Sequence, residues 1–295
     1  MLDSLNILIM IRRILRSSFR PYTIIYPFPL LPLITGAFAD GIYGLWKPVI
    51  FTFLFYPANN LWNHINDAED DFRGGKDTPF IHNKARKLAT LIAATLYSLS
   101  ALFVLLFSES EVSIILFLLV FAVTFAYSDR TVTGLRLKKH YITEFSVYSI
   151  AVPSYIILMY SLVKNPDIRS LKIAILFTPL MLSTLFLKDL KDITSDRGAG
   201  LTTFGVVFHY KTLLKTFYSF LLIYFILGIC FFLNSIISMA FLPIVGVMYS
   251  AFRMMSHNWE ASEKTQKYIN YSIASGLISV IATLAITLSF SLLRI

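Results

Sequence analysis

The chain has 295 residues, of which 56% are hydrophobic and only 15% charged, and its mean hydropathy is +0.68. This composition excludes a soluble globular enzyme and a disordered chain, and it places the protein in a bilayer. The net charge of +9 is therefore read for topology, and no nucleic-acid partner is expected. A single cysteine, Cys230, sits in an apolar run and excludes both an intrachain disulfide and a multi-thiolate metal site.

Residues 1–20 carry Arg12, Arg13, Arg16 and Arg20 between short apolar stretches. They are expected to form an amphipathic segment lying on the membrane rather than a cleaved signal peptide. A helix needs about 20 apolar residues to cross the hydrocarbon core. Nine stretches qualify, near 22–42, 46–65, 86–107, 112–127, 141–162, 171–190, 212–233, 236–256 and 268–293. No polar stretch is long enough for a separate soluble domain. Residues 1–295 are thus expected to be one all-α membrane domain, a single bundle of about nine transmembrane helices. Assigning alternate loops to opposite faces puts 21 of the 26 basic residues on one side. The positive-inside rule makes that side cytoplasmic, with the N-terminus inside and the C-terminus outside a cell membrane. Such a split requires an odd number of spans.

Eight of the 17 acidic residues fall in or just beyond two clusters on this cytoplasmic side. The first, Asn63-His-Ile-Asn66-Asp67-Ala-Glu69-Asp70-Asp71, ends the second span. The second, Asp189-Leu-Lys-Asp192-Ile-Thr-Ser-Asp196-Arg197, ends the sixth. Asn66 and Asp70, Asp67 and Asp71, and Asp192 and Asp196 are each four apart, so each pair shares one helix face. Like charges at that spacing repel unless a cation lies between them. Two such faces meeting across a cavity would hold Mg²⁺, which favours a few carboxylates completed by phosphate oxygens. The interleaved lysines and arginines are what a diphosphate would need to complete its neutralisation.

Four motifs in order carry a resemblance. They are Arg20-Pro21, Asn66-Asp67-x-x-Asp70, Tyr127-Ser128 followed by Leu135-Arg136-Leu137-Lys138, and Asp192-x-x-x-Asp196-Arg197-x-x-Gly200-x-Thr202-Thr203. Over residues 20 to about 207 the chain resembles the UbiA-type intramembrane prenyltransferase superfamily, whose members have nine transmembrane helices. The resemblance implies Mg²⁺ held by Asn66, Asp67, Asp70, Asp192 and Asp196, the four aspartates being the catalytic groups. It implies Arg20, Tyr127, Lys138, Arg197 and Asn66 as contacts to the diphosphate of a polyprenyl diphosphate. A membrane-soluble acceptor and the surrounding lipids would be the other partners.

Where many members have a third aspartate, eight positions after Asn66, this chain has Gly74. A shifted register of Asn63, Asp67 and Asp71 restores the full spacing, but the Asn66 register is preferred. Gly74, Gly75 and Asp77 are similar to the menaquinone-branch members that prenylate 1,4-dihydroxy-2-naphthoate, so an aromatic quinone precursor is the expected acceptor. A glycerol phosphate lipid or a carotenoid remains the alternative acceptor. A cation transporter, or an aspartate- and Mg²⁺-dependent phosphatase or headgroup transferase, remains an alternative of another class. Glu69 and Asp71 are read as solvated, His64 as interfacial, and Glu144 as a helix-end residue or an acceptor-side base. Lys138 and Lys139 are not separated by the sequence.

Overall fold

The computed structural model describes residues 2–19, 30–75, 77–188 and 193–232, together with Ala285. Arg20, Pro21, Asp189 and Asp192 lie outside the described residues, as do the expected spans near 236–256 and 268–293. The described helices are α1 (Leu2–Ser18), α2 (Leu30–Asp40), α3 (Trp46–Arg73), α4 (Asn83–Phe107), α5 (Val112–Ser128), α6 (Tyr141–Ser161), α7 (Ile168–Lys188), α8 (Ile193–Gly198), α9 (Phe204–Val207) and α10 (Tyr210–Phe232). Among the described residues there is no strand, only an isolated parallel bridge between His140 and Thr202. Each of the first seven expected spans overlaps one helix of the set α2 to α7 and α10, the first only over residues 30–40. By length and apolarity, α4, α6, α7 and α10 are the described helices able to cross a membrane, and α5 is apolar but shorter. Pro153 and Pro179 fall inside α6 and α7, which continue through them.

Helix α6 is the centre of the bundle because both of its faces are apolar and both are used. On one side Val152, Ile156 and Tyr160 pack with Ile34 of α2, Phe177 of α7 and Leu214 and Tyr224 of α10. On the other, Tyr155, Leu158 and Met159 pack with Phe51 and Phe55 of α3, Tyr97 of α4 and Phe117 of α5. Hydroxyls tie the helices where lipid cannot satisfy them: Thr52 and Tyr155 are 2.7 Å apart, and Ser113 donates to Ser161 at 2.8 Å. Leu102, Leu105 and Leu106 of α4 and Ile115 and Leu118 of α5 point outward, a face that suits lipid.

Over the later turns of α1, apolar side chains are turned onto the protein. Ile14 is fully buried with Leu61 and Ile65 of α3 and Ala89 and Ala93 of α4, while Arg12, Arg13 and Arg16 are exposed. Asn60 fastens its last turn by donating to the carbonyls of Ser17 at 2.7 Å and Ser18 at 3.0 Å.

Between α2 and α3 the chain doubles back through a short 3₁₀ turn, Gly41–Gly44, so closely that backbone meets backbone. A Cβ on Gly36 would lie 2.2 Å from the Gly44 carbonyl oxygen, and one on Gly44 would lie 2.1 Å from that of Gly36. Neither obstacle is a side chain that could rotate away. Gly36→Ala or Gly44→Ala is therefore expected to cost about 1–3 kcal/mol, read as a lower melting temperature in detergent. Gly198→Ala, where no atom stands within 4 Å, should melt with the parent.

Candidate active site

On α3, Tyr56, Asn59, Asn63, Asp67 and Asp70 follow one another at steps of three and four, so they form one stripe along the helix. Its polar end meets the segment joining α5 to α6. Asp129, fully buried just after α5, shapes that segment by accepting the N–H groups of Thr131 and Val132, both at 3.1 Å, and of Thr133. The Thr133 hydroxyl adds a fourth bond at 2.7 Å. Burial alone would raise the pKa of Asp129, but these donors outweigh it and hold the value at about 2. The chain then passes through Arg136, whose φ of +45° and ψ of +56° are left-handed, into the 3₁₀ turn Leu137–Lys139. Arg136 and Lys138 face inward as a result, and Lys139 faces out.

Three cations of this segment, and Arg86 of α4, meet the acids of α3. Lys138 Nζ donates to Asp67 and, at 2.8 Å, to Asn63 Oδ1. Arg136, only 3% exposed, places one guanidinium nitrogen on both Asp70 and Asp67, the latter at 3.4 Å. Arg130 reaches Glu69 at 3.0 Å and Asp70 at 3.5 Å, and Arg86 approaches Glu69 at 3.9 Å. Burial pushes the Asp70 carboxyl up, but the hydrogen bond and charge of Arg136, with Arg130 and Lys138, hold it below the usual carboxylate range. Asn66 is spent on the loop itself: its Oδ1 accepts from the Arg130 N–H at 2.9 Å and its Nδ2 donates to the Trp62 carbonyl at 2.9 Å.

The second motif is fastened to the same segment. The Lys139 carbonyl accepts from the Thr202 N–H at 2.9 Å, and the Thr202 carbonyl accepts from the Tyr141 N–H at 3.0 Å. Next along the chain, the Thr203 hydroxyl donates to Asp196 at 2.8 Å. Asp196 thus hangs from Thr203 as Asp67 hangs from Lys138, and the residues between them form one hydrogen-bonded connection. Arg197 is exposed.

Below the acids the bundle encloses a cavity of about 110 Å³. Its walls are mostly apolar, with Phe55, Val120, Val152 and Met181, and its polar groups are those of Tyr56, Asn59, Thr124, Tyr127, Tyr148 and Tyr155. Tyr127 belongs to both parts of the site. It lines the cavity while Lys138 Nζ stands 6.0 Å over its ring.

Residues 30–276 match the family model of the UbiA prenyltransferase family. The chain belongs to that family. It is a prenyltransferase. It is also 34% identical over 214 residues to an uncharacterized protein of Archaeoglobus fulgidus, a match spanning 70% of this chain and 73% of the relative. The fold is similar to that of a UbiA homolog from Archaeoglobus fulgidus solved with DMAPP and Mg²⁺, with a TM-score of 0.67 at 17% identity over 94% of this chain and 99% of that one. The apo UbiA homolog from Aeropyrum pernix K1 is likewise similar, with a TM-score of 0.61 at 14% identity over 88% and 96% of the two chains.

Of the residues expected at this prenyltransferase's site, Asp67, Asp70, Tyr127 and Lys138 are gathered around one point, and Asp196 is tied to them through Thr203. Asn66 is turned into the α5–α6 segment, and it is Asn63 that faces Lys138. Arg20 and Asp192 lie outside the described residues. Among the described residues, no three His, Cys, Asp or Glu side chains are grouped as a metal site. The sequence places Arg136 within a motif but assigns it no contact, and it gives no role to Arg130 or Asp129. Because the folded pKa of Asp129 is depressed, its contribution is fully present above the ordinary range near pH 4 and is lost as pH falls through about 2. The shift corresponds to about 2 kcal/mol. Asp129→Asn should therefore melt below the parent at pH 7, and the gap should close as the melts are repeated toward pH 2.

Proposed function

We propose that this prenyltransferase transfers the polyprenyl group of a polyprenyl diphosphate to an aromatic quinone precursor such as 1,4-dihydroxy-2-naphthoate, with Mg²⁺ as its cofactor. The observation that carries the reading is the pair Asp67 and Asp70, held by Arg136 and Lys138 on the same stripe of α3 whose Tyr56 and Asn59 line an apolar cavity. Two carboxylates one helical turn apart are chemically suited to a divalent ion with hard oxygen ligands, and the basic side chains gathered on them are suited to the phosphate oxygens that would complete its shell. Asp67 and Asp70, with Asp192 and Asp196 from the second motif, would hold it. Bound there, Mg²⁺ would supply Lewis-acid neutralisation of the diphosphate leaving group. Two solved structures of a UbiA homolog from Archaeoglobus fulgidus hold DMAPP with Mg²⁺ and GPP with Mg²⁺, which supports the same kind of ligand pair here.

The protein's own groups account for the rest. Arg136 and Lys138 are fixed beside the carboxylates and bind the diphosphate oxygens, with Arg20, Arg197 and Tyr127 as further contacts. Drawing charge onto these donors favours ionisation of the allylic C–O bond. The cavity walls hold the prenyl chain and exclude water that would quench the allylic cation. Gly74 and Asp77 after the first motif support the naphthoate-type acceptor. The distribution of basic residues supports nine spans, with both motifs and the N-terminus cytoplasmic and the C-terminus outside.

In nanodiscs with radiolabelled geranylgeranyl diphosphate, Mg²⁺-dependent label should appear on 1,4-dihydroxy-2-naphthoate and disappear with chelator. Asp67→Ala and Asp70→Ala should each lower the rate by about 10²–10³-fold, the size of losing one preorganised electrostatic partner. Label on a glycerol phosphate lipid or a carotenoid would keep the chemistry and replace the acceptor. No transfer to any acceptor, with diphosphate binding unchanged in both variants, would overturn the reading and favour ion transport.

A further inference from the structure

One acid beside the cavity has no part in the chemistry above. Glu144 is 1% exposed and lies in the first turn of α6. That turn is set by His140, whose Nδ1 accepts the Ile142 N–H at 3.2 Å, and the positive end of the helix favours a carboxylate there. Glu144 Oε1 accepts the hydroxyl of Tyr127 at 2.6 Å. Tyr127 in turn lines the cavity, packs edge-on against the cavity-lining Tyr148 with centroids 5.8 Å apart, and lies under Lys138 Nζ. A proton released in the cavity next to Tyr127 thus has a two-step route to a buried carboxylate. Asp67 and Asp70 are engaged by Arg136, Lys138 and Arg130 and are poorly placed to take it.

We propose that Glu144 acts through Tyr127 as the proton acceptor for a phenolic prenyl acceptor bound in the cavity. The inference rests on the prenyltransferase reading and deepens it. As the allylic C–O bond breaks, its electron pair leaves with the diphosphate. A ring carbon of the phenol then forms the new C–C bond to the allylic carbon. The phenolic O–H proton passes to Tyr127 Oη, the Tyr127 proton passes to Glu144 Oε1, and the ring is left as its keto tautomer. Glu144 does not itself touch the substrate, so it is a positioning residue that also holds the proton. General base assistance of this kind contributes about 10²–10⁴-fold.

Glu144→Gln separates this role from a purely structural one, because glutamine keeps the shape and still accepts the Tyr127 hydrogen bond but cannot take its proton. Nanodisc protein would be assayed with Mg²⁺, labelled geranylgeranyl diphosphate and 1,4-dihydroxy-2-naphthoate or 4-hydroxybenzoate, with prenylated acceptor and free prenyl alcohol counted separately. Glu144→Gln should lower kcat for transfer about 10²-fold, leave KM for the prenyl diphosphate within about twofold, and shift product toward the alcohol. Glu144→Asp should recover part of the loss, and Tyr127→Phe should show the same shift toward the alcohol. Parental kcat and product ratio in Glu144→Gln would overturn the proposal, as would a rise in KM that accounts for the whole loss. Should Glu144→Gln not fold, Tyr127→Phe and Glu144→Asp decide by the same ratio. A parent that transfers to no phenol would remove the acceptor reading, and the proposal would fall with it.

Discussion

Asp67 and Asp70 stand one turn apart at the end of a long helix, largely out of water, and two like charges so placed call for cations beside them. Breaking a buried ion pair by removing one partner costs about 3–5 kcal/mol, so the fold has to deliver cations to this point. Arg136 and Lys138 are those cations, and much of the local architecture exists to bring them. The buried Asp129 shapes the segment after α5, Asn66 pins that segment to α3, and the left-handed backbone at Arg136 turns two of its three neighbouring basic side chains inward. The β-bridge from His140 to Thr202 then ties Thr203, and through it Asp196, to the same segment.

Charge and oil are kept apart along a single helix stripe. Towards the bundle interior the stripe of α3 presents Tyr56 and Asn59 to the cavity, and towards its end it presents Asn63, Asp67 and Asp70 to the cations. A prenyl diphosphate has the same division between an apolar chain and a charged head. Tyr127 stands at the boundary, reached by Lys138 from one side and held by Glu144 from the other, which is where bond breaking and proton removal would have to be coordinated.

Much of this was legible in the sequence for physical reasons. Long apolar runs must be helices in lipid, and acids placed directly after such runs are too costly to be incidental. What could not be read was pairing over distance. Arg130 and Arg136 carry the same local signature as any loop charge, because their partners on α3 are 60 or more residues away. Lys138 and Lys139 differ only through a backbone turn that neither residue encodes. Asn66 fits the motif spacing, yet its amide serves the backbone of Arg130, and the neighbouring Asn63 takes the inward position. Asp129-x-Thr-x-Thr was a readable signal, since an aspartate at such a place commonly collects the following N–H groups. For α1, the amphipathic pattern was plain, but whether its apolar face met lipid or protein depended on Asn60 and on the surface of α3 and α4.

The measurement that bears most directly on this account is a cryo-EM structure in nanodiscs with Mg²⁺ and a non-hydrolysable thiolodiphosphate analogue of geranylgeranyl diphosphate. Density for the diphosphate is expected between Asp67 and Asp70 of α3 and the Arg136 and Lys138 side chains, with the prenyl chain running into the cavity bounded by Tyr56, Tyr127 and Tyr155. A diphosphate bound elsewhere, with Arg136 still bridging the two carboxylates, would contradict it.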